Sequence, residues 1–409
     1  MKYDVAVIGG GPAGMAAALS AKKQNANVII IERDNSLGGI LNQCIHNGFG
    51  LHYFKEELTG PEYAQRFIDE IKGENIDIML NSFVLNINAD KKLFVVSADR
   101  GVVEIEAQAI VLAMGCRERT AGAIGIPGLR PSGIWTAGMA QRLCNIEGKM
   151  IGRNIVILGS GDIGLIMARR MTFEGAKVKM VCELMPYSGG LKRNIVQCLN
   201  DFDIPLYFST TITKVVGDKR VEGVFIATVD EKRKVKKETE RFVECDTLLL
   251  SVGLLPENDL VNDIGMEMSA ITGGAIVDEY RQTSINGIFS CGNVLHVHDL
   301  VDNVSEEALI AGENAGKYVI GDTNEIKRQL KVIAGKGVRY VLPQIINGAN
   351  GDVKLFFRTD NIYKAPKAVV RCGDKQIAYR KSMIMTPGEM ESFIIKKEDI
   401  NEDIIVELM

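Results

Sequence analysis

Two stretches about 150 residues apart constrain the fold more than anything else in this 409-residue chain. The first is "YDVAVIGGGPAGMAAALSAKKQNANVIIIERD". It opens with an apolar run, Val5 to Ile8, of the kind that lies buried on both faces of a parallel sheet. Gly9, Gly11 and Gly14 then form a GxGxxG turn, with Pro12 and Ala13 completing it. That spacing makes a tight turn, lets the backbone approach a pyrophosphate, and starts a helix whose unpaired N–H groups favour phosphate. A second apolar run, Val28 to Ile31, ends at Glu32, with Arg33 beside it as a further candidate contact. A carboxylate there accepts hydrogen bonds from an adenosine ribose. GxGxxG alone is weak, but strand, turn, helix, strand and terminal acid together specify a dinucleotide-binding βαβ unit.

The second stretch, "RNIVILGSGDIGLIMARRMTFEGAKVKMVCE", repeats the pattern at Gly159, Gly161 and Gly164, with Asp162 and Ile163 opening the helix. Aligning Val178 with Val28 puts Cys182 opposite Glu32 and Glu183 one residue later. A carboxylate at this strand end repels a 2′-phosphate, which favours NAD over NADP; Lys192 and Arg193 further on weaken that preference. Two adenine-dinucleotide sites in one chain point to two-electron exchange between a nicotinamide and a bound flavin. The expected class is α/β, with two Rossmann-like domains, one for FAD and one for NAD(P).

Composition removes several alternatives. The net charge of −4 gives no basic footprint for nucleic acid. The densest charge run, "DEKRKVKKETER", reads as a solvated hairpin tip between two strands. Eight cysteines include no CxxC, so neither a thioredoxin-like pair nor a zinc cluster is specified, and no metal ligand set is assigned. Lys2 and the apolar stretch after it mimic a signal peptide, but consecutive glycines and Pro12 suit a strand–turn–helix better. Without a leader or a long apolar span, and with no cysteine pairing pattern, the reading is a cytoplasmic protein.

Three further segments carry a family resemblance. "AIVLAMGCRER" contains Ala113 and Gly115, "DTLLLSVGLLPEN" contains Gly253, and "TSINGIFSCGN" ends in Gly292 and Asn293. With the two fingerprints, they make the sequence similar to the pyridine nucleotide–disulfide oxidoreductase superfamily. The resemblance implies a thioredoxin reductase- or glutathione reductase-like fold, and adds Gly39, Ala113, Gly115, Gly253, Gly292 and Asn293 to the cofactor contacts. Met114 stands where the family usually has Thr, and Asn293 where it has Asp. More narrowly, "GGILNQCIHNGFGLHYFKEELTGPEYA" and "GNVLHVHDLVD" resemble FAD-dependent oxidoreductases associated with glycerol-3-phosphate dehydrogenase-type flavoproteins. More distantly they resemble flavin subunits of sarcosine, opine and cyanide-forming oxidases. This implies FAD, a pyridine nucleotide, and a partner dehydrogenase or electron-carrier subunit. The possibility of a homo-oligomer is equally open.

The resemblance also sets the expected layout: an FAD domain from 1–122 and 255–325, an NAD(P) domain inserted at 123–254, and a module at 326–409. Short alternating runs make that module antiparallel β, assigned to packing or partner contact rather than chemistry. The superfamily's redox disulfide, GG-x-C-x4-C, laid on Gly38-Gly39, falls on Leu41 and His46, so the relay is absent by residue type. Cys44 is then either a reactive single thiol, as in NADH oxidases and peroxidases, or a packing residue. All four histidines fall in two segments that border the flavin in the superfamily: His46 and His52, then His296 and His298. Structural positioning, proton transfer and metal binding all remain open for them. Cys44, His46, His296 and His298 are the catalytic candidates. Ser305 is expected to cap a helix that begins near Glu306 and points its positive end at the flavin.

Overall fold

A computed structural model describes residues 1–88, 90–322 and 329–409. The chain forms two compact units, residues 1–116 with 256–409, and residues 117–255. The expected boundary at 325/326 lies outside the described residues.

In the first unit the β-branched runs pair in parallel, Ile76–Met79, Val28–Ile31, Lys2–Ile8 and Gly101–Leu112 in that order, with Ile288–Ser290 joining the last. Val5, Val7, Val28 and Ile30 face one core, Ala6, Ile8, Ile29 and Ile31 the other. Burial on both faces explains why these runs are continuously apolar rather than alternating. The long strand Gly101–Leu112 also pairs antiparallel with Lys92–Ser97, which pairs with Ser82–Ile87. The fingerprint helix Pro12–Lys22 and the long helix Val301–Val319 share the first core through their alanines.

The long helix begins at Val301, not near Glu306, so Ser305 is not its cap. Ser305 lies inside the helix, buried, with its hydroxyl 2.8 Å from that of Tyr63. Asp302, in the first turn, instead accepts the backbone N–H of Gly50 (3.1 Å) and of His52 (2.8 Å), which pins the segment after the Gly38-Gly39 pair to the helix start.

Residues 329–409 form a five-stranded, a three-stranded and a two-stranded sheet around their own core. They are not purely antiparallel. The first strand, Leu330–Ala334, and the last, Ile404–Leu408, run parallel, because the chain crosses the whole module before returning. Leu342 leaves this core and packs with Ile8, Ile29 and Ile31. No helix among the described residues is long and apolar enough to cross a membrane.

The second unit has a parallel sheet ordered Ile134–Thr136, Thr247–Leu250, Asn154–Leu158, Lys177–Cys182 and Leu206–Tyr207. A three-stranded antiparallel sheet accompanies it, and the charged run links two of its strands, Gly223–Thr228 and Arg241–Glu244, as an exposed connection.

Candidate functional site

Each fingerprint helix starts without a side-chain cap, after Gly11 in the first unit and after Gly161 in the second. N–H groups of the first turn are thus offered to a ligand, although in the second helix Gly164 N–H already donates to the Ser251 hydroxyl (3.1 Å). Gly9 has φ +103°, donates to Ile31 O (2.9 Å), and a Cβ there would lie 2.5 Å from Ala113 O. Gly159 copies it: φ +97°, a bond to Cys182 O (2.7 Å), and a Cβ that would run into Ser251 O. Only glycine suits such a turn. The space beside Gly11 and Gly115 is open.

The two acids match in detail. Glu32 accepts Gly10 N–H (2.5 Å) on one carboxylate oxygen and Asp34 N–H (2.7 Å) on the other. Glu183 accepts Ser160 N–H (2.8 Å) and Met185 N–H (2.8 Å) in the same way. Glu183, not Cys182, is therefore the counterpart of Glu32. An irregularity between Ile155 and Val156, where the partner residue advances from Val178 to Met180, absorbs the extra residue. Both carboxylates are buried and brace the phosphate turn, with lone pairs remaining for a ribose.

The repeat runs further than the motif. Glu32 is followed by Gly38-Gly39 and Glu183, at the same interval, by Gly189-Gly190. Gly38 donates to Gly10 O (2.8 Å); Gly189 donates to the Ser160 hydroxyl (3.2 Å), whose backbone carbonyl accepts from Ser188 (3.1 Å). The glycine pair folds back on its own fingerprint in both units. Asp162 secures the second copy by accepting Leu191 N–H (2.8 Å) and the Asn194 amide (2.6 Å). Ile163 is half-buried on that helix, and Gly253 has φ +99° with its carbonyl accepting Arg119 N–H. Arg33 is exposed.

Of the histidines, the structure brings together His296 and His298, whose rings lie 4.1 Å apart, both buried. Each turns its Nε2 to Glu307, at 3.2 and 3.0 Å. Glu307 is fully buried and also accepts from Arg281 Nε (3.1 Å) and Gly292 N–H (3.0 Å). Burial alone would raise the Glu307 carboxyl, but the two imidazoles and their hydrogen bonds hold it well below the usual carboxylate range. Burial, with the neighbouring His298, pushes His296 down to about 4. The ligand atoms of His296, His298 and Glu307 lie within 4.8 Å of one another, close enough to gather a metal ion. The Arg281 guanidinium on the same carboxylate opposes a second cation there.

His46 is half-buried with its ring 5.0 Å from Phe49, and His52 is exposed. Cys44 is buried beneath Gly60, and burial pushes its thiol up to about 12. A thiol so disposed is a poor nucleophile. No disulfide occurs among the described residues. Asn293 holds its own loop, accepting His298 N–H (3.0 Å) and donating to Cys116 Sγ (3.6 Å).

Sequence reasoning missed Glu307, Arg281, Tyr340 and Arg358. The last two belong to the C-terminal module and lie against the histidine loop: Tyr340 OH is 3.4 Å from His296 Nδ1, and Arg358 bonds Tyr340 OH (3.2 Å), Val297 O (3.0 Å) and Asp299 (3.3 Å). The module, expected to serve packing or partner contact, thus also packs against the histidine loop. Glu307 was visible as an acid on an inward helical stripe with Val304, Ala308, Ala311 and Ala315.

Residues 3–315 match the family model described as pyridine nucleotide-disulphide oxidoreductase. The chain belongs to this family. It is an FAD-dependent pyridine nucleotide oxidoreductase, and the open turns, uncapped helix starts and paired acids fit two adenine dinucleotides. Thioredoxin reductase of Listeria monocytogenes is 26% identical over 342 residues, covering 82% of this chain and 98% of its own length. An opine oxidase subunit of Agrobacterium tumefaciens is 26% identical over 405 residues, covering 93% and 78%. The crystal structure of Lactococcus lactis thioredoxin reductase matches with a TM-score of 0.64 at 21% identity, covering 78% of this chain and 99% of that one, a likeness of fold.

Proposed function

We propose that this chain passes reducing equivalents from a nicotinamide nucleotide to FAD without a redox disulfide, with NAD preferred, and hands them on to a partner subunit. The duplicated acid-and-turn geometry carries the reading: Glu183 braces Ser160 as Glu32 braces Gly10. FAD, when bound, supplies the two-electron chemistry. Residues Gly9 to Gly14 offer the uncapped helix start to its pyrophosphate, and Glu32 the ribose contact. Gly159 to Gly164 do the same for the nicotinamide nucleotide, and the Glu183 carboxylate disfavours a 2′-phosphate. His296 and His298 handle protons at the Gly292–Asn293 loop. Cys44, buried and poorly ionised, takes no part.

Anaerobic titration tests this. NADH should bleach the flavin spectrum at lower concentration than NADPH, and Cys44→Ser should change the rate by less than about twofold. A flavin that neither nucleotide reduces refutes the reading, and loss of reduction in Cys44→Ser restores the single-thiol alternative. The partner is supported by relatives that are themselves named as subunits, those of opine oxidase and of the hydrogen cyanide synthase of Pseudomonas aeruginosa. Co-purification of the native complex tests that part.

A further inference from the structure

The two fingerprints differ at a buried position that the GxGxxG spacing leaves open. The residue after the first glycine is Gly10 in the first unit and Ser160 in the second. Ser160 is fully buried, and its hydroxyl donates to Glu183 Oε2 (2.7 Å) and accepts Gly189 N–H (3.2 Å). Its backbone N–H goes to the same Glu183 oxygen (2.8 Å). In the first unit Glu32 Oε2 receives Gly10 N–H (2.5 Å), and Gly38 N–H, the counterpart of Gly189, bonds Gly10 O directly (2.8 Å).

A second exchange accompanies the first. A Cβ on Gly10 would lie 2.5 Å from Leu37 Cδ2. Leu37 stands five residues after Glu32, and the residue five after Glu183 is Ser188. The smaller side chain leaves the room that Ser160 fills, and its hydroxyl donates to Ser160 O (3.1 Å), the counterpart of the carbonyl that Gly38 reaches in the first unit. Gly10 with Leu37, and Ser160 with Ser188, are thus two ways of filling the same turn.

The consequence falls on the carboxylates. Each has about four acceptor positions, two on each oxygen. Among the described residues, Glu32 spends one on Gly10 N–H and one, on the other oxygen, on Asp34 N–H, so each oxygen keeps one. Glu183 spends both positions of Oε2 on the Ser160 N–H and O–H, and one of Oε1 on Met185 N–H. A single position remains, on Oε1. Neither acid is sealed from a ligand: Glu32 and Glu183 keep 6% and 9% of their surface, and the space beside Gly189 is open.

We propose that Ser160 is a positioning residue that fills Glu183 Oε2, so that the second site grips an adenosine ribose through one of its two hydroxyls where the first site grips both. This rests on the proposed function, in which the second fingerprint takes the nicotinamide nucleotide. The first site thereby keeps its dinucleotide as a resident, while the second releases one after each turnover. A hydrogen bond to a charged acceptor is worth about a factor of ten or more in affinity.

Calorimetric titration of the FAD-loaded holoprotein with ADP-ribose, and with its adenosine 2′-deoxy and 3′-deoxy forms, tests this without turnover. In the wild type, removing one hydroxyl should weaken binding about tenfold or more, and removing the other less than about twofold. Ser160→Ala takes away the donor and keeps the Cβ. It should bind ADP-ribose about tenfold more tightly than the wild type, and should lose about tenfold when either hydroxyl is removed. A serine that only supports the turn would weaken all three ligands alike. Equal losses for the two deoxy ligands in the wild type overturn the proposal whatever the variant does, and so does a Ser160→Ala that binds ADP-ribose no more tightly than the wild type. A wild-type holoprotein that binds no ADP-ribose at all refutes the proposed function, and this proposal with it.

Discussion

At the scale of single residues, the buried cluster sets a pH dependence whose sign can be worked out. His296 sits at about 4 in the fold, against 6.5 for an ordinary histidine. The unfolded chain therefore binds this proton more readily between those values. The stability that His296 contributes is complete above pH about 6.5 and is lost as pH falls toward 4, by up to roughly 3 kcal/mol. Glu279 acts in the opposite sense. Burial raises it to about 7 from an ordinary 4.5, so its contribution grows as pH falls through that interval. The two partly cancel in the wild-type curve, which makes the difference between proteins the useful quantity. Chemical denaturation of wild type and His296→Gln at pH 7, 6 and 5 should give curves that converge as pH falls. Parallel curves would mean that folding leaves the His296 pKa unchanged.

At the scale of elements, the parallel strands and both fingerprints were legible because their signals are local. Apolar runs buried on two faces need no alternation, and the glycines sit where the backbone must turn with positive φ. The pairing of Glu183 with Glu32 was not legible, because a one-residue irregularity in a strand leaves no mark in composition. The start of the long helix was misjudged for a related reason. Ser305 has the residue type of a cap, but its hydroxyl is used by Tyr63, which lies 242 residues away. The matched fingerprints allow one to be broken alone. Gly159→Ala forces a side chain onto positive φ and into Ser251 O. The purified variant should keep its flavin in full but be reduced by NADH about an order of magnitude more slowly or worse. Gly9→Ala should instead lose flavin. Absorbance ratios and stopped-flow traces separate the two outcomes, and a flavin-free Gly159→Ala would show that the sites are not independent.

At the scale of the whole molecule, the C-terminal module was the hardest part to read. Its short alternating runs announce strands but not what they cover, since side-chain destinations depend on contacts with residues far away in sequence. Tyr340 and Leu342 lie two positions apart on the same strand and so share one face, from which Tyr340 reaches the His296 loop and Leu342 the core that holds Ile8 and Ile31. Gln344 continues the attachment, its backbone N–H bonded to Val277 O (3.2 Å) and its side chain to Val277 N–H (3.1 Å). The module and the parallel sheet of the first unit therefore share both an apolar core and the residues around the histidines. Leu342 is fully buried, so Leu342→Ala removes packing and leaves a cavity, at a cost of about 2–5 kcal/mol. If the module is integral, that loss falls on the first unit as a whole. Flavin release and the unfolding of residues 329–409 should move to lower temperature together, as followed by flavin fluorescence and by hydrogen exchange of the C-terminal strands. A variant in which those strands exchange early while the flavin stays bound at the wild-type temperature would show instead that the module is an attachment, and that Tyr340 and Arg358 are dispensable to the histidine loop.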